Sequence, residues 1–272
     1  MREMRHQGIP TEIAYGFLNE VLSMQKKFET AYPVFCWDMG TSIRKRYYQP
    51  YKANRSKTPK NITEEELDEA AKEATRFRRS VRQLRVHILD NAGYANIIMS
   101  PRFESDDLIA QSVLELNKTY PQDKAIIVTG DQDMYQCLSE KVCVYNPLHR
   151  ELITPHSFIK KYGISPRQWT TVKAIAGCTS DNIKGVAGVG EKTAIKYLKK
   201  ELKEGSKKKT SIESRGGKLI RERNLKLVTL PWPDTPELSL HKIIPCERRW
   251  RKEIESLGMV TLIKEGPYSG RC

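Results

Sequence analysis

No apolar run in this sequence is long enough to cross a bilayer, and no signal-peptide pattern opens it. The expectation is a cytoplasmic protein with no membrane partner. Six cysteines are present, yet none forms a C-x-x-C pair or another zinc spacing. A zinc module is therefore not expected, and buried, reduced thiols are. The G-x-x-x-x-G-K-S/T spacing of a P-loop is missing, as is any internal repeat. Acid is in short supply: 33 Asp and Glu stand against 47 Lys and Arg, a net charge of +14 over 272 residues. That excess suits a polyanion, nucleic acid before an anionic membrane surface. The length allows one large domain, or a main domain with an appendage.

What acid there is falls in telling places. Ala125-Ile126-Ile127-Val128-Thr129 is apolar and β-branched, and it ends in Gly130-Asp131-Gln132-Asp133. Such a run reads as a strand buried on both faces of a parallel α/β sheet. Ligands of open α/β sheets bind where the strands end, and two carboxylates one residue apart suit a hard cation such as Mg²⁺ or Mn²⁺. Gly and Asp are also ordinary turn residues, so this stretch alone fits a solvated turn equally well.

Its neighbours argue for metal. Pro33 to Trp37 is a second buried-strand candidate that ends in Asp38. A third strand, about Tyr94 to Met99, leads to Glu104-Ser105-Asp106-Asp107 and the helix carrying Leu108, Ile109, Val113 and Leu114. Acids favour a helix N-terminus, but three in four residues exceed what capping requires. Gathered without a cation they would repel and raise one another's pKa.

Between these acidic ends runs a basic segment. Arg44 to Lys60 holds seven basic residues and no acid, with Tyr47, Tyr48 and Tyr51 interleaved. Cations attract phosphate and tyrosines stack on unpaired bases, so the mixture suits single-stranded nucleic acid, although a charge run is commonly a solvated face. Thr63-Glu64-Glu65-Glu66 reads as a capping box opening a long helix to about Leu89. Pro155 and Pro166 sit at the starts of two further helices. Gly185-Val186-Ala187-Gly188-Val189-Gly190-Glu191-Lys192-Thr193 then reads as a helix-hairpin-helix turn. Gly188 and Gly190 let backbone amides approach a phosphate, with Lys192 and Thr193 beside it; the plainer reading is a tight turn between helices. Lys199 to Lys209 is expected to be an exposed loop, and Trp232, Trp250 and Leu257 to pack a helical C-terminal portion.

Taken together, Phe35-Cys36-Trp37-Asp38, Tyr51-Lys52-Ala53-Asn54-Arg55, Glu104-Ser105-Asp106-Asp107, Thr129 to Asp133 and Ser180-Asp181-Asn182-Ile183 with its glycine hairpin resemble the bacteriophage and bacterial 5′-nuclease family. That family comprises flap endonucleases and the 5′-nuclease domains of bacterial DNA polymerase I. The resemblance runs from about Gly8 to about Leu230. It implies an α/β, PIN-like catalytic domain over residues 1–154, with a mostly parallel central sheet and a helical arch. Residues 155–272 would form a helical, helix-hairpin-helix DNA-binding region. It further implies one metal site from Asp38, Glu104, Asp106 and Asp107, and a second from Asp131, Asp133 and Asp181. Lys52 matches the family's catalytic lysine and Tyr51 its base-stacking neighbour, while Arg44 and Arg55 would steady the scissile strand and Lys57 would add to DNA binding. The implied cofactors are two Mg²⁺ or Mn²⁺ ions, with K⁺ at the hairpin. The implied partner is DNA with a 5′ flap or 5′ end, an RNA primer strand included, bound by a monomer in a bacterial or phage-infected cytoplasm.

Two departures from the family pattern bear on activity. The family opens with an apolar strand ending in Asp-Gly about twenty residues before the Gly-x-Pro-Thr loop, whereas Met1 lies seven residues before Gly8 here. The expectation is that the reading frame begins upstream, or that the product is impaired. Cys178 stands where most relatives have Asp, and a thiol is a poor Mg²⁺ ligand. The leading expectation is a metal-dependent 5′-3′ exonuclease or flap endonuclease working through two metals. The alternative is a structure-specific DNA-binding protein of the same fold that cuts poorly, and a PIN-type ribonuclease is disfavoured by the hairpin.

Overall fold

The computed structural model describes residues 5–6, 9–30, 32–56 and 63–266. Gly8, Lys57, Lys60 and Cys272, all drawn on above, lie outside the described residues. The chain begins with the short strands β1 (Arg5–His6) and β2 (Ile9–Pro10), helix α1 (Glu12–Phe28), strand β3 (Val34–Asp38) and helix α2 (Ile43–Tyr47). Helix α3 (Glu64–Gln83) continues through a π-turn at Leu84–Ile88 into α4 (Leu89–Asn91), followed by β4 (Asn96–Ser100) and α5 (Ser105–Thr119). Strands β5 (Ala125–Val128), β6 (Val142–Asn146) and β7 (Glu151–Ile153) precede α6 (Pro155–Tyr162) and α7 (Trp169–Ala176). A small hairpin, β8 (Gly177–Cys178) with β9 (Ile183–Lys184), leads to α8 (Glu191–Leu198), α9 (Lys207–Glu213), α10 (Arg215–Val228), α11 (Glu247–Ser256) and α12 (Val260–Ile263).

Contacts gather the chain into two compact units. One comprises Met1–Trp37, Thr58–Ile98 and Leu240–Cys272. Its core is built where α1 turns Leu18 and Leu22, one helical turn apart, onto Phe35, Leu84, Leu89 and Trp250. Phe35 meets Tyr94 edge-on at 5.1 Å, and Tyr94 meets Trp250 edge-on at 6.1 Å. The expected capping box is present: the Glu66 amide donates to Thr63 Oγ1 at 3.3 Å and the Thr63 amide to Glu66 Oε2 at 2.9 Å. The long helix reaches the expected end, with the π-turn keeping Leu84 and Ile88 both buried.

The other unit comprises Asp38–Lys57 and Met99–Ser239. Its sheet pairs β5 parallel with β6, Ile127 opposite Val144, and β6 antiparallel with β7. The parallel α/β pairing agrees with the sequence reading. The expectation that β5 is buried on both faces does not hold. Ile127 is in the core, whereas Ile126 and Val128 are 37% and 42% exposed, because the cluster of Val142, Val144, Phe158 and Trp169 covers one face alone. Other expectations also need correcting. Within Lys199 to Lys209, residues Lys207–Lys209 open helix α9, capped by Ser206. Trp250 and Leu257 are buried as expected, but Trp232 lies in a loop after α10 and stacks on Arg44. Among the described cysteines only Cys178 is buried, while Cys246 is exposed.

Candidate metal centre

Each acidic strand end is placed by local rules. Asp38 closes β3, and its Oδ1 accepts the Ser105 amide at 2.7 Å. Glu104 is the N-cap of α5, with Asp106 and Asp107 in the first turn, where the helix dipole favours anions. Asp131 follows β5 and caps a 3₁₀ turn, its Oδ1 accepting the Asp133 amide at 2.8 Å. Asp181 sits in the turn of the β8–β9 hairpin.

Two glycines make that hairpin possible. A Cβ on Gly177, whose φ is +78°, would lie 2.3 Å from the Ile183 carbonyl oxygen. One on Gly185 would lie 2.1 Å from the Ala176 oxygen. Only glycine tolerates such approaches, and they fix where Cys178 and Asp181 point. The segment around Lys52 is fastened to the same turn. The Lys52 amide donates to the Asp181 carbonyl at 2.8 Å, and Asn182 Nδ2 to the Pro50 carbonyl at 2.7 Å. Lys52 itself holds φ at +53°, a left-handed conformation rare for a side-chain-bearing residue and common at functional sites.

The result is a small cleft with Tyr51, Glu104, Asp106, Asp133 and Asp181 on its polar wall and Leu227 and Val228 on its apolar one. Lys52 Nζ hydrogen-bonds Glu104 Oε1 and lies 4.0 Å from Asp181 Oδ1. Arg55, more than half exposed, reaches Asp181 Oδ1 at 2.8 Å. Asp133, Cys178 and Asp181 bring their ligand atoms within 4.8 Å of one another.

Electrostatics register the crowding. Burial, then the Asp131 charge, push Asp106 up to about 7, against the pull of Lys52. Burial raises Asp133 and Asp181 as well, opposed by Lys173 in the first case and by Lys52 and Arg55 in the second. Burial opposes ionisation of Glu104 too, but there the Lys52 hydrogen bond and charge win and hold it below its ordinary value. These carboxylates face one another at a cost that a bound cation would remove. Their oxygen donors fit a hard divalent ion, apart from the one sulfur at Cys178.

Three expected roles change on inspection of the geometry. Arg44 is buried, not strand-facing: it grips Asp107 through Nη1 at 2.5 Å and Nη2 at 2.7 Å, and donates Nε to the Leu227 carbonyl at 2.8 Å. Burial alone would lower Arg44, and the Asp107 hydrogen bond and charge carry it above its usual value. Asp107, fully buried, also accepts the Trp232 amide at 2.7 Å and the Glu104 amide at 3.2 Å, so no face of its carboxylate remains for a metal. Tyr51 is buried rather than open for stacking, and its hydroxyl donates to Glu104 Oε2 at 2.7 Å. A compact basic-aromatic run cannot say which of its members the fold will consume as scaffold.

Sequence reasoning missed Lys173. Its Nζ lies 3.0 Å from Asp133 Oδ1 and 3.0 Å from Glu191 Oε1, tying the cleft to the first turn of α8. The available signal was a lysine as the single charged residue of the helix Trp169–Ala176. At the hairpin itself, a Cβ on Gly188 or on Gly190 would meet nothing within 4 Å, so the turn is open beside the exposed Lys192. Gly190 caps α8, its carbonyl accepting the Thr193 amide at 3.0 Å.

Comparison with known proteins gives one answer. Residues 2–163 match the family model described as the 5′-3′ exonuclease, N-terminal resolvase-like domain. The thermostable DNA polymerase I of Thermus thermophilus is 33% identical over 195 residues, covering 71% of this chain and 21% of the polymerase. DNA polymerase I of Mycobacterium bovis is 33% identical over 197 residues, covering 70% of this chain and 20% of its own. The chain thus spans about a fifth of the length of these curated relatives. Among solved structures, the bacteriophage T5 flap endonuclease in a pseudo-enzyme–product complex with DNA and metal ions superposes with a TM-score of 0.67 at 21% identity, covering 93% of this chain and 88% of that one. The catalytic core of Rad2 with its DNA substrate gives 0.53 at 17% identity, covering 96% and 86%. The shared architecture is the PIN-like α/β fold.

Proposed function

The chain belongs to the family of 5′-3′ exonuclease N-terminal, resolvase-like domains, and on that premise we propose that it is a metal-dependent 5′-nuclease that hydrolyses DNA phosphodiesters at 5′ flaps or 5′ ends. The observation that carries this reading is the convergence of Glu104, Asp106, Asp133 and Asp181 on one cleft, where burial and then the Asp131 charge push Asp106 up to about 7. Asp38, Glu104 and Asp106 form the first ligand set, and Asp131, Asp133 and Asp181 the second; Mg²⁺ or Mn²⁺ is the ion their oxygens suit. Bound there, a pair of divalent ions supplies an activated water and a counter-charge for the leaving oxygen.

The protein's own groups do the rest. Lys52, held by its left-handed backbone between Glu104 and Asp181, presents a positive charge to the scissile phosphate and steadies the charge developing there. Arg55, the exposed partner of Asp181, faces the same strand. Arg44 and Asp107 act beneath them as a buried clamp that orients Glu104. Gly188, Gly190, Lys192 and Thr193 take a duplex phosphate at the start of α8, with K⁺ at the turn. We assign the catalytic role to residues 1–154, completed by Asp181, and the duplex grip to residues 155–272, in a monomer of the bacterial or phage-infected cytoplasm that acts on a 5′ strand of DNA or an RNA primer.

A 5′-flap DNA incubated with Mg²⁺ or Mn²⁺ tests this, beside the Asp131→Asn/Asp133→Asn variant. Cleavage by the native chain that the variant lacks is expected. Tight flap binding without cleavage by the native chain would favour a structure-specific binding protein, the reading that Cys178 beside Asp133 and Asp181 supports.

A further inference from the structure

Cys178 is buried, and its Sγ belongs to the same cluster of ligand atoms as the carboxylates of Asp133 and Asp181, all within 4.8 Å of one another. A metal with bonds of roughly 2.3 Å to sulfur and 2.0–2.2 Å to oxygen can reach all three after a small closure. The backbone gives the sulfur little freedom, since Cys178 lies between Gly177 and the tight turn, paired with Ile183 across the β8–β9 hairpin. Its present neighbour is the Ser180 hydroxyl at 3.0 Å, a weak and exchangeable partner. The Asp133 Oδ1 is buried beside it, ion-paired with Lys173 Nζ at 3.0 Å.

Oxygen ligands alone would leave this position to hard cations. A sulfur changes the order, because thiolate favours zinc, cobalt and cadmium over magnesium and manganese. We infer that Cys178, Asp133 and Asp181 make the second metal position a mixed sulfur–oxygen site that selects a thiophilic divalent cation, while the Asp38, Glu104 and Asp106 position keeps its preference for hard ions. The inference rests on the nuclease reading for the presence of a metal, and it adds the ion's identity at one position. Cys178 binds as thiolate; its proton passes to the buffer as the sulfur–metal bond forms.

The test is a Co²⁺ titration of the full chain followed by absorbance. A thiolate-to-cobalt charge-transfer band should grow to one equivalent in the native protein and be absent from Cys178→Ser. The other five cysteines of the sequence give both proteins the same background. A second measurement needs no loss of structure at the site. The Cd²⁺ to Mn²⁺ affinity ratio, read by calorimetry, should fall at least about tenfold in Cys178→Asp, the equivalent of ~1.4 kcal/mol for one exchanged ligand. A band that survives in Cys178→Ser, or a ratio untouched in Cys178→Asp, overturns the inference. Mn²⁺-dependent flap cleavage without any band overturns the thiolate ligand and leaves the nuclease reading intact. The band without cleavage under any metal overturns the nuclease reading and keeps the mixed site.

Discussion

Replacing Arg44 tests the division between scaffold and chemistry most directly. Its guanidinium makes two short bonds to Asp107, one at 3.3 Å to Glu104, and two to the carbonyls of Leu227 and Thr229 at 2.8 and 3.2 Å. Side-chain exposure is 2% for Arg44 and 0% for Asp107, so solvent cannot replace what is removed. In Arg44→Leu the Asp107 carboxylate keeps the amides of Trp232 and Glu104 but loses its counter-charge. Breaking a buried pair on one side typically costs about 3–5 kcal/mol. Against a total stability of roughly 5–15 kcal/mol, that is a large fraction. Urea unfolding should show the loss as a lower midpoint, with Tm falling by about 10 °C. The double variant Arg44→Leu/Asp107→Leu should recover part of it, because no orphaned charge remains. A refuting result is equally concrete. If Arg44→Leu unfolds within about 1 kcal/mol of the native chain while losing flap binding, Arg44 is a DNA contact and the clamp reading is wrong.

Three further outcomes follow from the same geometry. In the metal-free protein Asp106 is raised from 3.8 to about 7, so the folded state holds a proton that the unfolded chain has released. That contribution, up to about 4 kcal/mol, is fully present below pH ~4 and lost as pH rises to about 7. Thermal shift should therefore show Mn²⁺ raising Tm more at pH 8 than at pH 5.5; an equal rise at both would refute the role of Asp106. Lys173→Met deprives Asp133 and Glu191 of their shared cation and should destabilise the metal-free chain by about 3 kcal/mol. Saturating Mn²⁺ should restore part of this in urea melts, since a metal supplies the missing charge at Asp133. With Tyr51 buried and Tyr48 packed partly buried against the same cluster under Arg223, Tyr47 is the exposed aromatic of this run, 45% exposed and edge-on to Trp232 at 5.7 Å. Tyr47→Ala should weaken oligothymidine binding by about 1–3 kcal/mol and Tyr51→Phe should not, as followed by Trp fluorescence.

The acids were legible in the sequence because their placement is a local matter. An apolar run that stops at Asp38, or at Asp131, puts its carboxylate at a strand end whatever surrounds it, and Asp106 enters α5 where the dipole favours it. The tight turn before α8 was legible for a related reason: a Cβ on Gly185 would lie 2.1 Å from the Ala176 oxygen, and Gly188 holds φ at +72°. The cations were not. Arg44, Lys52 and Arg55 lie within twelve residues of one another and look alike as a charge run. The fold sends the first inward to Asp107, the second to Glu104, and leaves the third more than half exposed on Asp181. Long side chains choose partners by three-dimensional proximity, which no spacing encodes. Lys173 was hidden for the opposite reason, as one charge within a helix that otherwise reads as core.

That distribution of cations also bears on how many metals the cleft asks for. Among the described residues, Asp38, Glu104, Asp106, Asp107, Asp131, Asp133 and Asp181, with Glu191 reached through Lys173, are eight carboxylates. The protein answers them with four side-chain cations, Arg44, Lys52, Arg55 and Lys173. With every carboxylate ionised, four negative charges remain, and without metal Asp106, pushed up to about 7, is the carboxylate that most readily keeps a proton, while burial raises Asp133 and Asp181 as well. Two divalent ions would carry the charge that is wanting. This balance supports a pair of metals over a single one. It also explains why the cations sit at the rear and flank of the cluster: Arg44 spends itself on Asp107, which faces no opening, and so leaves the charge of the facing carboxylates for the metals to meet.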